Sequence, residues 1–288
     1  MATPSLGAGV VHVACIGDSL TEGFRGVWSP PTENTYPKIL QQLLGERFNV
    51  VNLGSSGATM CRAGKDAANS SMSAGWWSRT VFSKLVSQRW DLAIVMLGTN
   101  DCKSGRHDGP DNFHLVQGGE ADDYGAWLRA QLGSTDKPTF AQDYAAFVAL
   151  LRTLGTRSAG PQIFMCIPPP ALVDGAYHLD ATLINSVLPR LVPRLADAIG
   201  VPRSHVIDNF HALGGAELSC LPVGGATLEL AQAGNGPSQW YVDENWGDQV
   251  HPCDRGLRRL AHNVMEALAA AGVARRGDGE SEAACLLE

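Results

Sequence analysis

No apolar run in these 288 residues approaches the ~18 residues that would read as a membrane span. No basic cluster is present either, and a formal net charge of −7 argues against a phosphate backbone as partner. The seven cysteines include no CxxC pair, and the opening MATPSLGAGV lacks the basic region of a secretion signal. These absences lead to the expectation of a cytoplasmic protein with reduced thiols, no membrane span and no nucleic-acid partner. The sequon at Asn69 then carries little weight, and the terminal Cys285-Leu286-Leu287-Glu288 ends in a poor residue for a prenylation box. Several catalytic signatures are missing as well. There is no G-x-S-x-G, no HExxH, and Gly64-Lys65 lacks both the upstream glycine and the following Ser/Thr of a P-loop. His251-Pro252-Cys253 has no spaced second pair to complete a zinc site. No metal and no cofactor are expected.

What is present is a soluble-protein composition, 44% apolar and 18% charged, arranged in alternating strand and helix patterns. Apolar runs of strand length occur at Val10–Ile16, Phe48–Leu53, Leu92–Leu97, Gln162–Ile167 and Val206–Asp208. Helical spacing fills the intervals at Tyr36–Arg47, Trp76–Gln88 (with Val81, Leu85 and Val86 on one face), Phe140–Leu154 and Ala181–Ile199. Pro189 and Pro193 are expected to kink or break the last of these. A final helix covers Leu257–Ala271, with Asp254 as its N-cap. Strands apolar throughout, each followed by a helix, predict an α/β fold with a five-stranded parallel sheet covered on both faces. No repeat and no linker divides the chain. One domain over residues 1–276 is expected, with loop insertions at about 102–138 and 209–247 and a disordered tail at 277–288. Trp240, Tyr241 and Trp246 in the second insertion suggest a substrate-facing wall.

Polar clusters stand at the carboxyl ends of the first three strands and before the last helix. They read Gly17-Asp18-Ser19, Asn52-Leu53-Gly54-Ser55-Ser56-Gly57, Gly98-Thr99-Asn100-Asp101 and Asp248-Gln249-Val250-His251. In an open parallel sheet these places converge on one edge. Ser19 is then positioned to attack a carbonyl, with His251 as its base and Asp248 fixing the imidazole tautomer. Backbone N–H groups of Ser19 and Gly57 and the amide of Asn100 suit an oxyanion. Asp18 and Asp101 are expected to bond turn and loop backbone rather than to react. Asp208-Asn209-Phe210-His211 repeats the DxxH spacing, but His211 opens a glycine-rich insertion, whereas His251 is followed by Pro252 and a helix that would hold it rigidly. His12, His107 and His262 show no comparable acidic partner.

Taken together, the serine block at Ser19, the glycine block at Gly57, the GxND block at Asn100 and the DxxH block at Asp248 and His251 resemble those of the SGNH hydrolases, the GDSL esterase and lipase family. The resemblance runs from residue 10 to about 272. It implies a flavodoxin-like three-layer α/β/α sandwich and metal-free hydrolysis of carboxylic esters through an acyl-serine. It also implies that Gly57 and Asn100 serve the oxyanion and that the dyad lies before the last helix. A short-chain acyl or carbohydrate O-acetyl esterase acting on a small-molecule ester is the expected function. A lysophospholipase, thioesterase or acyltransferase would use the same centre, and a carbohydrate- or lipid-binding module would lack one of its members.

Overall fold

The computed structural model describes residues 9–24, 33–66, 72–110, 112, 124–135, 139–218, 236–241 and 247–274. Trp246, the tail at 277–288 and large parts of both insertions lie outside them. The sheet strands are β1 (Val11–Gly17), β2 (Phe48–Gly54), β3 (Leu92–Met96), β4 (Gln162–Ile167) and β5 (Val206–Asp208). All are parallel, in the order β2-β1-β3-β4-β5. The helices are α1 (Ser19–Glu22), α2 (Tyr36–Leu44), α3 (Thr80–Val86), α4 (Tyr124–Leu132), α5 (Phe140–Thr153), α6 (Leu188–Ala198), α7 (Asn209–Ala212), α8 (Gly215–Leu218) and α9 (Asp254–Ala270).

The pleat sends alternate side chains to opposite faces, and β1 shows the consequence. Ala14 and Ile16 join a core with α3, α5 and α6, which includes Leu85, Phe147 and Leu191. Val11, Val13 and Cys15 join a second core with α2 and α9, through Leu40, Leu260 and Val264. The expected three-layer α/β/α sandwich is therefore observed.

Several local expectations need correction. The stretch Trp76–Gln88 is a short 3-10 turn, Trp76–Ser78, followed by α3, and Val86 is exposed rather than on the packed face. The helix expected through Arg47 stops at Leu44, because Gly45 turns the chain at a positive φ of 73°. Asp254 is the first residue of α9, not its N-cap. Cys253 holds that position without capping the helix through its side chain, and the Asp254 carboxylate instead lies in the first turn, where the helix dipole favours it. The prolines do not break the sixth helix. A π-helical turn at Leu183–Val187 widens the coil immediately before Pro189, which enters α6 in its first turn, and Pro193 is carried inside α6 with its ring buried.

Close approach at the carboxyl edge sets the position of α1. A Cβ on Gly17 would lie 2.0 Å from Thr21 Oγ1, and one on Gly54 would lie 2.1 Å from the Glu22 nitrogen. Only glycine allows α1 to rest against the ends of β1 and β2. The Asn52 amide then ties the two together, donating to the Thr21 carbonyl at 2.9 Å.

Candidate active site

Ser19 is the first residue of α1, directly after β1. Asp18 caps this helix, its carboxylate accepting from the Leu20 N–H at 3.0 Å, and the serine is thereby held at a sharp strand-to-helix turn. Its Oγ lies 3.0 Å from His251 Nε2. On the other side of the ring, His251 Nδ1 lies 2.6 Å from Asp248 Oδ2. The DxxH spacing works because Asp248 folds the turn around itself. Its Oδ1 accepts from the Val250 N–H at 3.0 Å and the His251 N–H at 2.7 Å, while Gln249 takes a left-handed φ of 61°. The turn leaves Oδ2 free to face the ring it positions. Both Ser19 and His251 are buried.

The structure adds a residue that the sequence pattern does not reveal. The Tyr177 hydroxyl donates to Asp248 Oδ2 at 2.6 Å, and its ring stands edge-on to His251 with centroids 5.1 Å apart. Phe24 meets the same imidazole edge-on at 4.9 Å. Tyr177 reaches this place through an irregular segment after β4, with positive φ at both Tyr177 (54°) and His178 (65°). That segment is tied down on two sides. The Leu172 N–H donates to the Gln249 carbonyl at 2.9 Å, and Arg106 bonds Asp174 at 2.8 Å. His107 joins this second tie, Nε2 to Asp174 Oδ1 at 3.1 Å, so it does have an acidic partner, contrary to expectation. Burial pushes the Asp248 carboxyl upward, yet the bond and charge of His251, its backbone N–H and the Tyr177 hydroxyl together hold it below the ordinary aspartate value.

The glycine and GxND blocks lie beside the serine. The Ser55 N–H donates to the Gly17 carbonyl at 3.0 Å, and the Ser56 N–H to Glu22 Oε2 at 2.8 Å, so the turn carrying Gly57 is fastened to β1 and α1. Gly57 has a φ of 74°. Asn100 donates through Nδ2 to Asp18 Oδ2 at 3.3 Å, which fixes the amide and leaves its second hydrogen to point elsewhere. Among the described residues, no acceptor takes the N–H of Ser19 or Gly57. Asp101 anchors a different loop from its own. Its two oxygens accept from the Met60 and Cys61 N–H groups, each at 2.8 Å, which pins the segment after the glycine block.

The expectation of a substrate wall fails at Tyr241. Tyr241 is fully buried and donates its hydroxyl to the Pro170 carbonyl at 2.5 Å, so it is an internal strut and not a substrate wall. Trp240, half-buried, packs against the core around α9. The competing pair is formed, with His211 Nδ1 2.6 Å from Asp208 Oδ2, but both side chains are largely exposed and Asp208 serves to cap α7. Among the described residues, no group of three His, Cys, Asp or Glu is arranged to hold a metal, and no helix is long and apolar enough to cross a membrane.

Residues 15–259 match the model of the GDSL-like lipase/acylhydrolase family. The chain belongs to this family. It is the family that the four sequence blocks resemble. An acetylxylan esterase from Xylanibacter ruminicola is 26% identical over 261 residues, which cover 90% of this chain and 43% of that protein. The chain thus spans less than half the length of this relative. Among solved structures, the aryl esterase of M. smegmatis superposes with a TM-score of 0.55 at 20% identity, covering 91% of this chain and 100% of that one. Est24, a carbohydrate acetylesterase from Sinorhizobium meliloti, does so with 0.56 at 20% identity, covering 90% and 99%. These two likenesses establish the fold.

Burial pushes Asp18 up to about 6, against the Leu20 N–H, His251 and Asn100, which act to lower it. A carboxyl raised above its unfolded value of 3.8 destabilises the fold when ionised, here by about 3 kcal/mol at pH 7, and the cost disappears as pH falls from about 6 to below 4. Asp18→Asn, which mimics the neutral acid, should therefore be more stable than the parent in urea unfolding at pH 7 and equal to it near pH 3. A variant less stable at pH 7 contradicts the assignment. The Tyr177 hydroxyl acts in the opposite sense, since a depressed aspartate stabilises the fold above its unfolded pKa and ceases to do so on acidification. Tyr177→Phe should lose about 1–2 kcal/mol at pH 7, with a smaller deficit at pH 3. A pH-independent difference would mean that the hydroxyl does not act on Asp248.

Proposed function

We propose that this chain is a serine ester hydrolase that removes short acyl groups, acetyl above all, from carbohydrate esters through an acyl-serine intermediate. The observation that carries the reading is the unbroken relay from Ser19 Oγ to His251 Nε2 at 3.0 Å and from His251 Nδ1 to Asp248 at 2.6 Å. A serine hydroxyl alone is a weak nucleophile, and a base within hydrogen-bond reach is what activates it. In the proposed reaction Ser19 Oγ attacks the ester carbonyl as His251 Nε2 takes its proton. Asp248, ionised and held by Tyr177, balances the imidazolium that forms. The tetrahedral oxyanion accepts from the N–H groups of Ser19 and Gly57 and from the Asn100 amide, whose orientation Asp18 maintains. His251 then gives its proton to the departing alkoxide. Water, activated by the same imidazole, releases the acid from Ser19.

The acetyl preference and the carbohydrate alcohol draw on the acetylxylan esterase relative, whose likeness covers 90% of this chain. The reading places the whole centre in one domain and requires neither metal nor cofactor. A binding module on the same fold is the less economical reading, because all members of the relay are present and in contact.

A hydrolysis series from 4-nitrophenyl acetate to hexanoate, with acetylated xylo-oligosaccharides alongside, tests this function. Turnover should be highest for acetyl esters, and a folded but inert wild-type protein refutes the reading. Ser19→Ala and His251→Ala should each abolish turnover, whereas His211→Ala should change it less than about twofold, since surface substitutions away from a site have small effects. The reverse pattern for the two histidines would move the base to Asp208–His211. Asn100→Ala should lower kcat by roughly a hundred- to a thousandfold with little change in KM, as loss of a donor made only to the oxyanion predicts.

A further inference from the structure

Beside the glycine turn lies a pair of cations that the reaction does not use. Arg79 stands at the start of α3, and its Nη2 comes within 3.8 Å of the position that a Cβ on Gly57 would take. Its Nε and Nη2 are buried and have no hydrogen-bond partner among the described residues. The neighbouring Asp66 carboxylate is 3.6 Å from Nη2, an ion pair but too long for a hydrogen bond. Lys103, three residues after Asn100, is 7% exposed and lies close enough to Arg79, Asp66, Asp18 and Asp101 to feel their charges. Asn112 ties the Lys103 segment to the segment that carries Asp66. Its N–H donates to the Lys103 carbonyl at 3.1 Å, while its side chain clasps Lys65, the neighbour of Asp66, accepting from the nitrogen at 2.7 Å and donating to the carbonyl at 2.8 Å.

The remaining carboxylates nearby are already committed. Asp18 accepts from Leu20 and Asn100, and Asp101 from Met60 and Cys61. Burial pulls Lys103 below the ordinary lysine range, with Arg79 adding to the effect and Asp66, Asp18 and Asp101 opposing it. The Asp18 and Asp101 carboxylates are thus occupied while two Arg79 donors are left over among the described residues, and buried donors without acceptors are costly unless a ligand completes them. The pattern of unused atoms is specific. Nε and one Nη are the guanidinium edge that receives a carboxylate side-on, through two parallel hydrogen bonds.

We propose that Arg79 and Lys103 form an anionic subsite beside Gly57, which selects esters bearing a carboxylate near the scissile bond. This inference rests on the esterase reading above, because it makes Gly57 part of the oxyanion site. The carboxylate could belong to the acyl part or to the alcohol part, and the two sources are separated by experiment.

On the acyl side, kcat/KM for 4-nitrophenyl hemisuccinate is compared with that for its neutral methyl ester. On the alcohol side, acetate release from methyl O-acetylglucuronoside is compared with release from the same compound as its methyl ester. In wild type, one arm should favour the acid by roughly tenfold or more, the effect of a charge-assisted contact. That ratio should fall to within about twofold in Arg79→Gln and in Lys103→Gln, and substantially in Arg79→Lys, which keeps the charge but loses the fork. No preference in either arm, or a preference untouched by the variants, overturns the subsite while leaving the esterase intact. If no ester of either kind is turned over, the esterase reading fails instead. Calorimetric titration with succinate and with glucuronate then decides the subsite independently of turnover. Saturable binding of either acid that is lost in Arg79→Gln supports it, and absence of binding rejects it.

Discussion

One carboxylate, that of Asp248, draws the candidate centre together. It accepts from two backbone N–H groups of its own turn, from the imidazole it orients and from a tyrosine on another loop. Each bond has a separate consequence. The backbone pair closes the turn that gives DxxH its reach, the imidazole contact aims Nε2 at Ser19, and the tyrosine fastens the segment after β4 over the histidine. A carboxylate with fewer donors would be free to rotate, and rigid support of this kind is what a general base needs. Helix α9 begins at Asp254, three residues after His251, and continues the chain from this turn as regular structure.

Around this point the site is assembled from buried polar groups, and their energies are unequal. Asp248 is stabilised as an anion by its donors. Asp18, with only Leu20 and Asn100 to serve it, is ionised at a cost. The fold tolerates that cost because Asp18 does two jobs at one place, capping α1 beneath Ser19 and setting the Asn100 amide. Local strain follows the same distribution. The non-glycine residues with left-handed backbone among those described are Asp108, Tyr177, His178 and Gln249, and the last three lie within or beside the two segments that meet at Asp248.

The parts of this arrangement that could be read from sequence are those with a short-range cause. Apolar runs revealed the five strands, since a parallel sheet covered on both faces demands them, and the DxxH spacing revealed the dyad because an Asx-type turn closes within four residues. The contribution of Tyr177 was hidden, for it lies 71 residues from Asp248 and arrives through a segment with no periodicity. Proline at 189 and 193 argued for a break, but Pro189 falls in the first turn of α6, where proline is tolerated, after a π-helical turn with no sequence signature, and Pro193 is carried within the helix. Tyr241 was misread for a related reason. Aromatic residues near a glycine-rich insertion suggest a binding wall, but whether such a ring faces solvent or core depends on a distant acceptor, here the Pro170 carbonyl.

The same distinction separates the proposed chemistry from the proposed selectivity. Ser19, Gly57, Asn100 and Asp248 all stand on or next to regular elements, and neighbouring backbone ties hold them: Ser55 to Gly17, Ser56 to Glu22, Asp101 to Met60 and Cys61. Arg79 differs in that, among the described residues, its guanidinium keeps two buried donors unused. A side chain whose hydrogen bonds are all satisfied within the protein contributes position, and one with buried donors to spare has something left to offer a ligand. By this criterion the Ser19–His251–Asp248 relay is bonded within the protein, while the oxyanion donors and the Arg79 edge beside Gly57 are the parts of the proposed site whose bonding a substrate would finish.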